Sequence, residues 1–184
     1  MNRLPLLKPG DIILLHSDSW MGRVIRWFEA KQTGHARVQH AAMALGGLMR
    51  QPAVLEALAT VRRTPLSRYT DQQIIIYRHK HLPKAARCEI ALEAVTRQGE
   101  PYAVLKLLLL AADALTGTTF FSRTFKITKL MVCSNVIAWA YERVLGFQPF
   151  NLPWQSVTPD HIDDTCSRNP EDWECLYDSI EENT

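Results

Sequence analysis

In the N-terminal half of the chain, apolar residues gather in short runs bounded by turn-forming residues, the pattern expected of strands. Pro9-Gly10-Asp11 signals a turn, and the run Ile12 to Leu15 after it reads as a strand. Val38 to Leu45 (VQHAAMAL), closed by Gly46-Gly47, reads as a second strand. Val54 to Thr60 (VLEALAT) reads as a third and Gln73 to Arg78 (QIIIYR) as a fourth. Their Ile and Val content supports this, because β-branched side chains suit a pleated surface. Between the first two runs, Trp20 to Ala30 (WMGRVIRWFEA) spaces its apolar residues as a short helix does.

The pattern then changes period. Pro83 to Gln98 alternates apolar and charged faces and stops at Gly99; Val104 to Leu115 (VLKLLLLAADAL) follows, and Ser134 to Leu145 (SNVIAWAYERVL) ends at Gly146. All three read as helices. From Phe147 onward the chain is rich in Pro, Asp and Trp and is expected to wrap the surface. Strands first and helices later describe an α+β fold rather than alternating βαβ units.

At 184 residues the chain suits one domain, 1–184, with 147–184 as a C-terminal extension. A hydrophobic share of 47% with 22% charged residues is enough for a core and excludes a disordered chain. A formal charge of +2 argues against nucleic acid as a partner. The N-terminal MNRLPLLKPGDIILL lacks the apolar core and cleavage site of a secretory signal, so a cytoplasmic location is expected. Val104 to Leu115 carries Lys106 and Asp113 and is far shorter than the roughly 20 residues of a spanning helix. A buried or half-buried helix is expected there rather than a membrane contact. Cys88, Cys133, Cys166 and Cys175 form no CxxC pair, so no metal site and no cofactor are expected. Cys166 and Cys175 are near neighbours in a polar tail and could be bridged in an oxidising compartment; free thiols are the expectation here.

Cys133 follows the apolar residues Leu130, Met131 and Val132 and immediately precedes a predicted helix, with Ser134 and Asn135 suited to its first turn. A thiol there lies near the positive end of the helix dipole, which favours thiolate, and the first-turn N–H groups can stabilise an oxyanion. By position alone, a buried structural cysteine is the commoner outcome. A nucleophile needs a base. Of the six histidines, His40 lies inside a predicted strand beside Ala41 and Ala42, which leave room next to the imidazole. Taken alone, a satisfied core histidine explains it as well as a base does. Glu56 interrupts the apolar strand VLEALA, where an ionised side chain is costly unless paired or solvated. If the two strands form an antiparallel hairpin turning near Gly46 to Pro52, His40 and Glu56 can face each other across the ladder. The carboxylate would then fix the tautomer of the imidazole. Without that pairing, Glu56 is a solvated surface charge.

Together these residues resemble a known family. GDIILL, then His40 in VQHAAMALGG, then Glu56 in VLEA is similar to the second half of NlpC-like papain-fold cysteine peptidases. GEPYA around Tyr102 and VCSNVIAWAYERVLG around Cys133 are similar to their first half. The halves stand in swapped order, which resembles the circularly permuted branch of that superfamily. The absence of an Asn-Cys pair at the nucleophile resembles the YiiX-like group more than the lecithin retinol acyltransferase-like proteins. Val132 stands where standard-order members often have Asp, and Tyr102 is followed by Ala103 rather than a polar residue.

The resemblance implies a permuted papain-like fold, with an antiparallel sheet packed against a helix that carries the nucleophilic Cys at its N-terminus. It implies Cys133 as nucleophile, His40 as base and Glu56 as the group orienting the base, with Tyr102 and Ser134 lining the substrate and oxyanion site. The expected activity is that of a cysteine-dependent hydrolase cleaving an amide bond through an acyl-enzyme. An acyltransferase or thioesterase acting on a lipid-like substrate and a catalytically inactive binding module are the alternatives. The expected partner is a small-molecule, peptide or lipid-like substrate.

Overall fold

The computed structural model describes residues 4–16, 37–46, 51–57, 60–100 and 133–180. Among these residues six strands form one antiparallel sheet: β1 (Ile12–His16), β2 (His40–Ala44), β3 (Ala53–Ala57), β4 (Val61–Pro65), β5 (Gln73–His79) and β6 (Trp173–Asp178). Their order across the sheet is β4-β3-β2-β1-β5-β6. Three α-helices accompany it among the described residues: α1 (Lys84–Val95), α2 (Cys133–Leu145) and α3 (Pro159–Arg168). The class is α+β, as the order of patterns along the chain predicts.

Alternation along the strands sorts the two faces of the sheet. Ile12, Leu14, Ala41, Met43, Leu55, Ile75 and Tyr77 join the helices in one buried cluster, where Val136, Ile137, Ala140 and Tyr141 are the contribution of α2. Ile13, Leu15, Ala42, Ala44, Val54, Ile74 and Ile76 form a second cluster on the other face with Tyr69. The central strands are therefore buried on both faces, which is why β1 and β5 read as continuous apolar runs rather than alternating ones.

The turn before β1 anchors the sheet to α2. Asp11 is buried, accepts the Lys8 N–H at 2.7 Å and takes the Arg78 guanidinium in a fork, Nε to Oδ1 at 2.8 Å and Nη2 to Oδ2 at 2.5 Å. That pairing joins the start of β1 to the end of β5 and neutralises a charge that could not otherwise be buried. From the helix side, the Tyr141 hydroxyl donates to the Gly10 carbonyl at 2.7 Å. The helix over Cys133–Leu145 is thereby fixed to the end of the sheet away from Cys133.

The structure departs from the sequence reading in two places. The strand expected over Val54 to Thr60 ends at Ala57, and a separate edge strand, β4, follows it. In VRRTP only Val61 and Thr64 are buried, so β4 lacks a readable alternation; its Pro65 is tolerated because the strand is at the edge. The segment from Phe147, expected to wrap the surface, instead supplies α3 and the edge strand β6, antiparallel to β5. Helix α3 (PDHIDDTCSR) buries Ile162, Cys166 and, unexpectedly, Asp160 and Asp163. The helices expected over Trp20 to Ala30 and Val104 to Leu115 lie outside the described residues. Among those described, no helix is long and apolar enough to cross a membrane. All four cysteines are free thiols.

Gly46 supports the close approach of the chain after β2 to the turn before β1. Its φ is +53°, and a Cβ there would lie 2.5 Å from Cδ of Pro9. Gly46→Ala combines a left-handed backbone with a clash against a rigid ring. It is expected to cost about 2 kcal/mol and lower Tm by roughly 4–8 °C. Thermal melting followed by circular dichroism checks this, and an unchanged Tm would contradict the packing described.

Candidate active site

β2 and β3 are paired through Ala42↔Glu56, Met43↔Leu55 and Ala44↔Val54. His40 lies two residues before Ala42, so it shares a sheet face with Glu56 but is its diagonal neighbour, not the directly opposite residue that a simple hairpin would provide. A diagonal pair is within reach of long side chains. His40 Nε2 lies 3.2 Å from Glu56 Oε2. The other ring nitrogen, Nδ1, is not engaged by Glu56, and the Cys133 thiol lies close enough to the imidazole for each to shift the other's titration.

The register of β2 with β3 ends at Ala42. One residue further out, the Ala41 N–H turns to the sulfur of Cys133. The thiol therefore meets the imidazole at the start of β2. Cys133 is the first described residue of α2, and the N–H of Ser134 also hydrogen-bonds to its sulfur. Cys133 is 4% exposed, whereas the His40 side chain retains 16% of its surface. The sulfur is thus shielded from most water, and the imidazole edge less so.

Glu56 is the most heavily bonded side chain of the site. Oε2 accepts from His40 and from the Tyr69 hydroxyl; Oε1 accepts from the Thr64 hydroxyl and from Arg62 Nε at 3.2 Å. Arg62 is the direct cross-strand partner of Glu56 on β4, Thr64 lies two residues on, and Tyr69 ends the short 3₁₀ turn Leu66–Tyr69 that follows. Burial alone would raise the carboxyl's pKa. The hydrogen bonds from His40, Thr64 and Tyr69, with the charge of His40, overcome that and bring it down to about 2. The same competition acts on the other two groups. Burial pulls His40 down, but the Cys133 thiolate and Glu56 carboxylate on either side raise it to about 9. Burial pushes the Cys133 thiol up, while the His40 charge and the bonds from His40, Ala41 and Ser134 carry it below the ordinary thiol range. Each group is therefore pushed toward its charged form: thiolate at Cys133, imidazolium at His40 and carboxylate at Glu56.

The structure thus brings Cys133, His40 and Glu56 together. It directs the Ser134 hydroxyl elsewhere, to the Val157 carbonyl at 2.6 Å, so only the backbone of Ser134 faces the sulfur. Tyr102 lies outside the described residues. Sequence reasoning missed Arg62, Thr64 and Tyr69. The signal available was Glu56 itself, since an ionised side chain in an apolar strand must have donors. Finding them required recognising β4, which its sequence conceals.

No protein-family model matches the chain, and no curated protein does. Among solved structures, the crystal structure of metalloprotein yiiX from Escherichia coli O157:H7, DUF1105, resembles it with a TM-score of 0.55 and 19% sequence identity, over 95% of this chain and 90% of that one. At that identity the likeness speaks for the fold alone: the chain has a YiiX-like α+β fold, with a six-stranded antiparallel sheet and three helices among the described residues.

Proposed function

We propose that the chain is a cysteine-dependent hydrolase of the permuted papain-like type that cleaves an amide bond through an acyl-enzyme. The observation that carries this reading is the imidazole of His40, held between a thiol and a buried carboxylate that itself accepts four hydrogen bonds. The order His40, Glu56, Cys133, with the strands ahead of the Cys-bearing helix, is the one a circular permutation of the NlpC-like arrangement would have.

In this reading the Cys133 thiolate attacks the carbonyl carbon, and the oxyanion is met by first-turn N–H groups of α2. As the C–N bond breaks, His40 gives its Nδ1 proton to the departing amine, leaving a thioester on Cys133. The now neutral imidazole takes a proton from water, which attacks the thioester; the acid leaves, and the thiolate–imidazolium pair is restored. Glu56 stays ionised throughout and holds Nε2–H, so that Nδ1 is the nitrogen exchanging protons.

The similar solved structure is that of a metalloprotein. Here no group of three or more His, Cys, Asp or Glu side chains is gathered to hold a metal ion among the described residues. Both Glu56 oxygens and the Nε2 of His40 are already engaged, so the site does not fit a metal cage and no step is routed through one.

Cys133 is expected to be the fastest of the four thiols with limiting iodoacetamide. Its labelling should rise on the acid side of the ordinary thiol pKa of about 8.5, because the ion pair holds thiolate there. Hydrolysis of a short peptide amide should need the pair intact. It should therefore grow as pH rises and thiolate forms, then fall as pH passes about 9 and His40 loses its proton. Peptide mapping and a pH–rate profile read both. Labelling of Cys133 only above pH 8.5 would overturn the reading and favour a binding module. Turnover of acyl thioesters but not of amides would favour a thioesterase or acyltransferase.

Glu56→Gln probes the Cys133–His40–Glu56 arrangement more sharply than removal of a charge. Arg62 Nε can only donate, so the amide oxygen takes its side and the amide NH₂ faces His40 Nε2. The imidazole then carries its proton on Nδ1, the wrong nitrogen for a base. Turnover should fall by about three to four orders of magnitude with the fold retained, as in triads whose tautomer is inverted. Cys133→Ala should abolish the covalent step altogether. Steady-state kinetics with circular dichroism checks both, and a folded, fully active Glu56→Gln would remove Glu56 from the mechanism.

A further inference from the structure

Within four residues the C-terminal segment bonds both to the residues that follow Cys133 and to the chain that leads into His40. At one end the Val157 carbonyl accepts the Ser134 hydroxyl at 2.6 Å and Asn135 Nδ2 at 3.1 Å, the two residues that follow Cys133. At the other, Asp160 Oδ1 accepts the N–H of Arg37 at 2.9 Å and of Val38 at 3.3 Å, on the approach to His40. Between them Thr158 caps α3, its hydroxyl accepting the His161 N–H at 3.2 Å, and Pro159 stiffens the first helical position. The span from Val157 to Asp160 is therefore short, capped and stiff.

Asp160 is 6% exposed, and its second oxygen, Oδ2, is buried with no partner among the described residues. A buried oxygen left without a donor is costly to the fold, and Asp160 tolerates it while its other oxygen holds two N–H groups. The Arg37 backbone it holds is gripped on its other groups too. His16 Nδ1 engages the Arg37 carbonyl at 2.7 Å, and the guanidinium reaches Asp178 on β6 at 2.9 Å and Asp163 on α3 at 3.8 Å.

We infer that Asp160 is a positioning residue, and that the Val157–Asp160 segment is a strut that fixes the separation of the Cys133 sulfur and the His40 imidazole. The inference rests on the thiolate–imidazolium reading above and deepens it. The strut acts by distance. If the approach to His40 drifts from the first turn of α2, the imidazole and the sulfur separate and the thiolate loses its counter-charge. The charged and titratable groups that face the pair are Glu56 from β3, with Arg62 from β4 and Tyr69 behind it; those near Asp160 are Arg37, His16, Asp163, Asp164 and Asp178.

The test is the pH dependence of Cys133 alkylation by iodoacetamide, read by peptide mass spectrometry, which needs no substrate. In Asp160→Ala, labelling at pH 6 should fall by at least about tenfold, the profile moving up toward an ordinary thiol. Asp160→Asn, whose amide oxygen can still accept both N–H groups, should restore the wild-type profile within about twofold. A folded Asp160→Ala with the wild-type profile overturns the strut. So does an Asp160→Asn as impaired as the alanine variant, which would make the effect one of charge. If Asp160→Ala is unfolded by circular dichroism, Ser134→Ala tests the other end, since it removes one donor to Val157 and leaves Asn135 in place. It should move the profile in the same direction by a smaller amount, and an unmoved profile there overturns the strut. An ordinary thiol profile in the wild type would instead bring down the ion-pair reading itself, and the strut with it.

Discussion

A carboxylate buried in a sheet has few ways to exist, and Glu56 uses the demanding one: it stays ionised and gathers four donors. Those donors come from three separate pieces of chain, β2, β4 and the 3₁₀ turn after β4. The register of β3 on β4, the return of Tyr69 over the sheet face and the direction of the His40 ring all answer to that single charge. If β4 slipped by one residue, Arg62 and Thr64 would turn to the other face and leave Glu56 without two of its partners. The unusual cost of burying the carboxylate is thus what makes the arrangement specific.

His40 and Cys133 depend on Glu56 in turn. Each would be neutral if buried alone, since burial lowers the imidazole's pKa and raises the thiol's. Side by side, shielded from water, each supplies the other's counter-charge, and the low dielectric that opposes isolated ions strengthens the pair. The carboxylate beyond Nε2 tips the balance further toward imidazolium. The sulfur gains from two backbone N–H groups as well, one from Ser134 at the start of the helix and one from Ala41 on β2.

The rest of the fold holds α2 at both ends. Tyr141, two turns from Cys133, is bonded to the Gly10 carbonyl, beside the buried Asp11–Arg78 fork. The first turn is tied through Ser134 and Asn135 to the carbonyls of Val157 and Trp154. An aromatic group of Tyr141, Phe150 and Trp173 packs the C-terminal segment against the middle of α2, with ring centroids 5.7–5.8 Å apart. The segment after Phe147 is accordingly part of the core and of the sheet.

How much of this was legible in the sequence follows the range of the interactions. Strands and helices whose pattern is local, such as Ile12 to Leu15, Gln73 to Arg78 and the helix after Cys133, could be read because apolar periodicity is a property of neighbouring residues. Glu56 was conspicuous because an ionised residue among apolar ones raises a question that only partners can answer. The Pro9-Gly10-Asp11 turn was legible for the same local reason, through the backbone freedom of Gly10. The partners themselves were not. Arg62 and Thr64 sit in a strand with no apolar alternation, and β6 and α3 carry Trp173, Cys166 and Ile162 among residues whose polarity suggests a surface. Their burial is decided by pairing with β5 and by packing on α2. The diagonal placement of His40 against Glu56 and the span from Val157 to Asp160 are likewise facts of distance between remote parts of the chain. Local pattern determined which residues could carry a charge or a nucleophile. Tertiary structure alone decided which of them meet, because a hydrogen bond depends on ångström-scale separation that spacing along a chain does not encode.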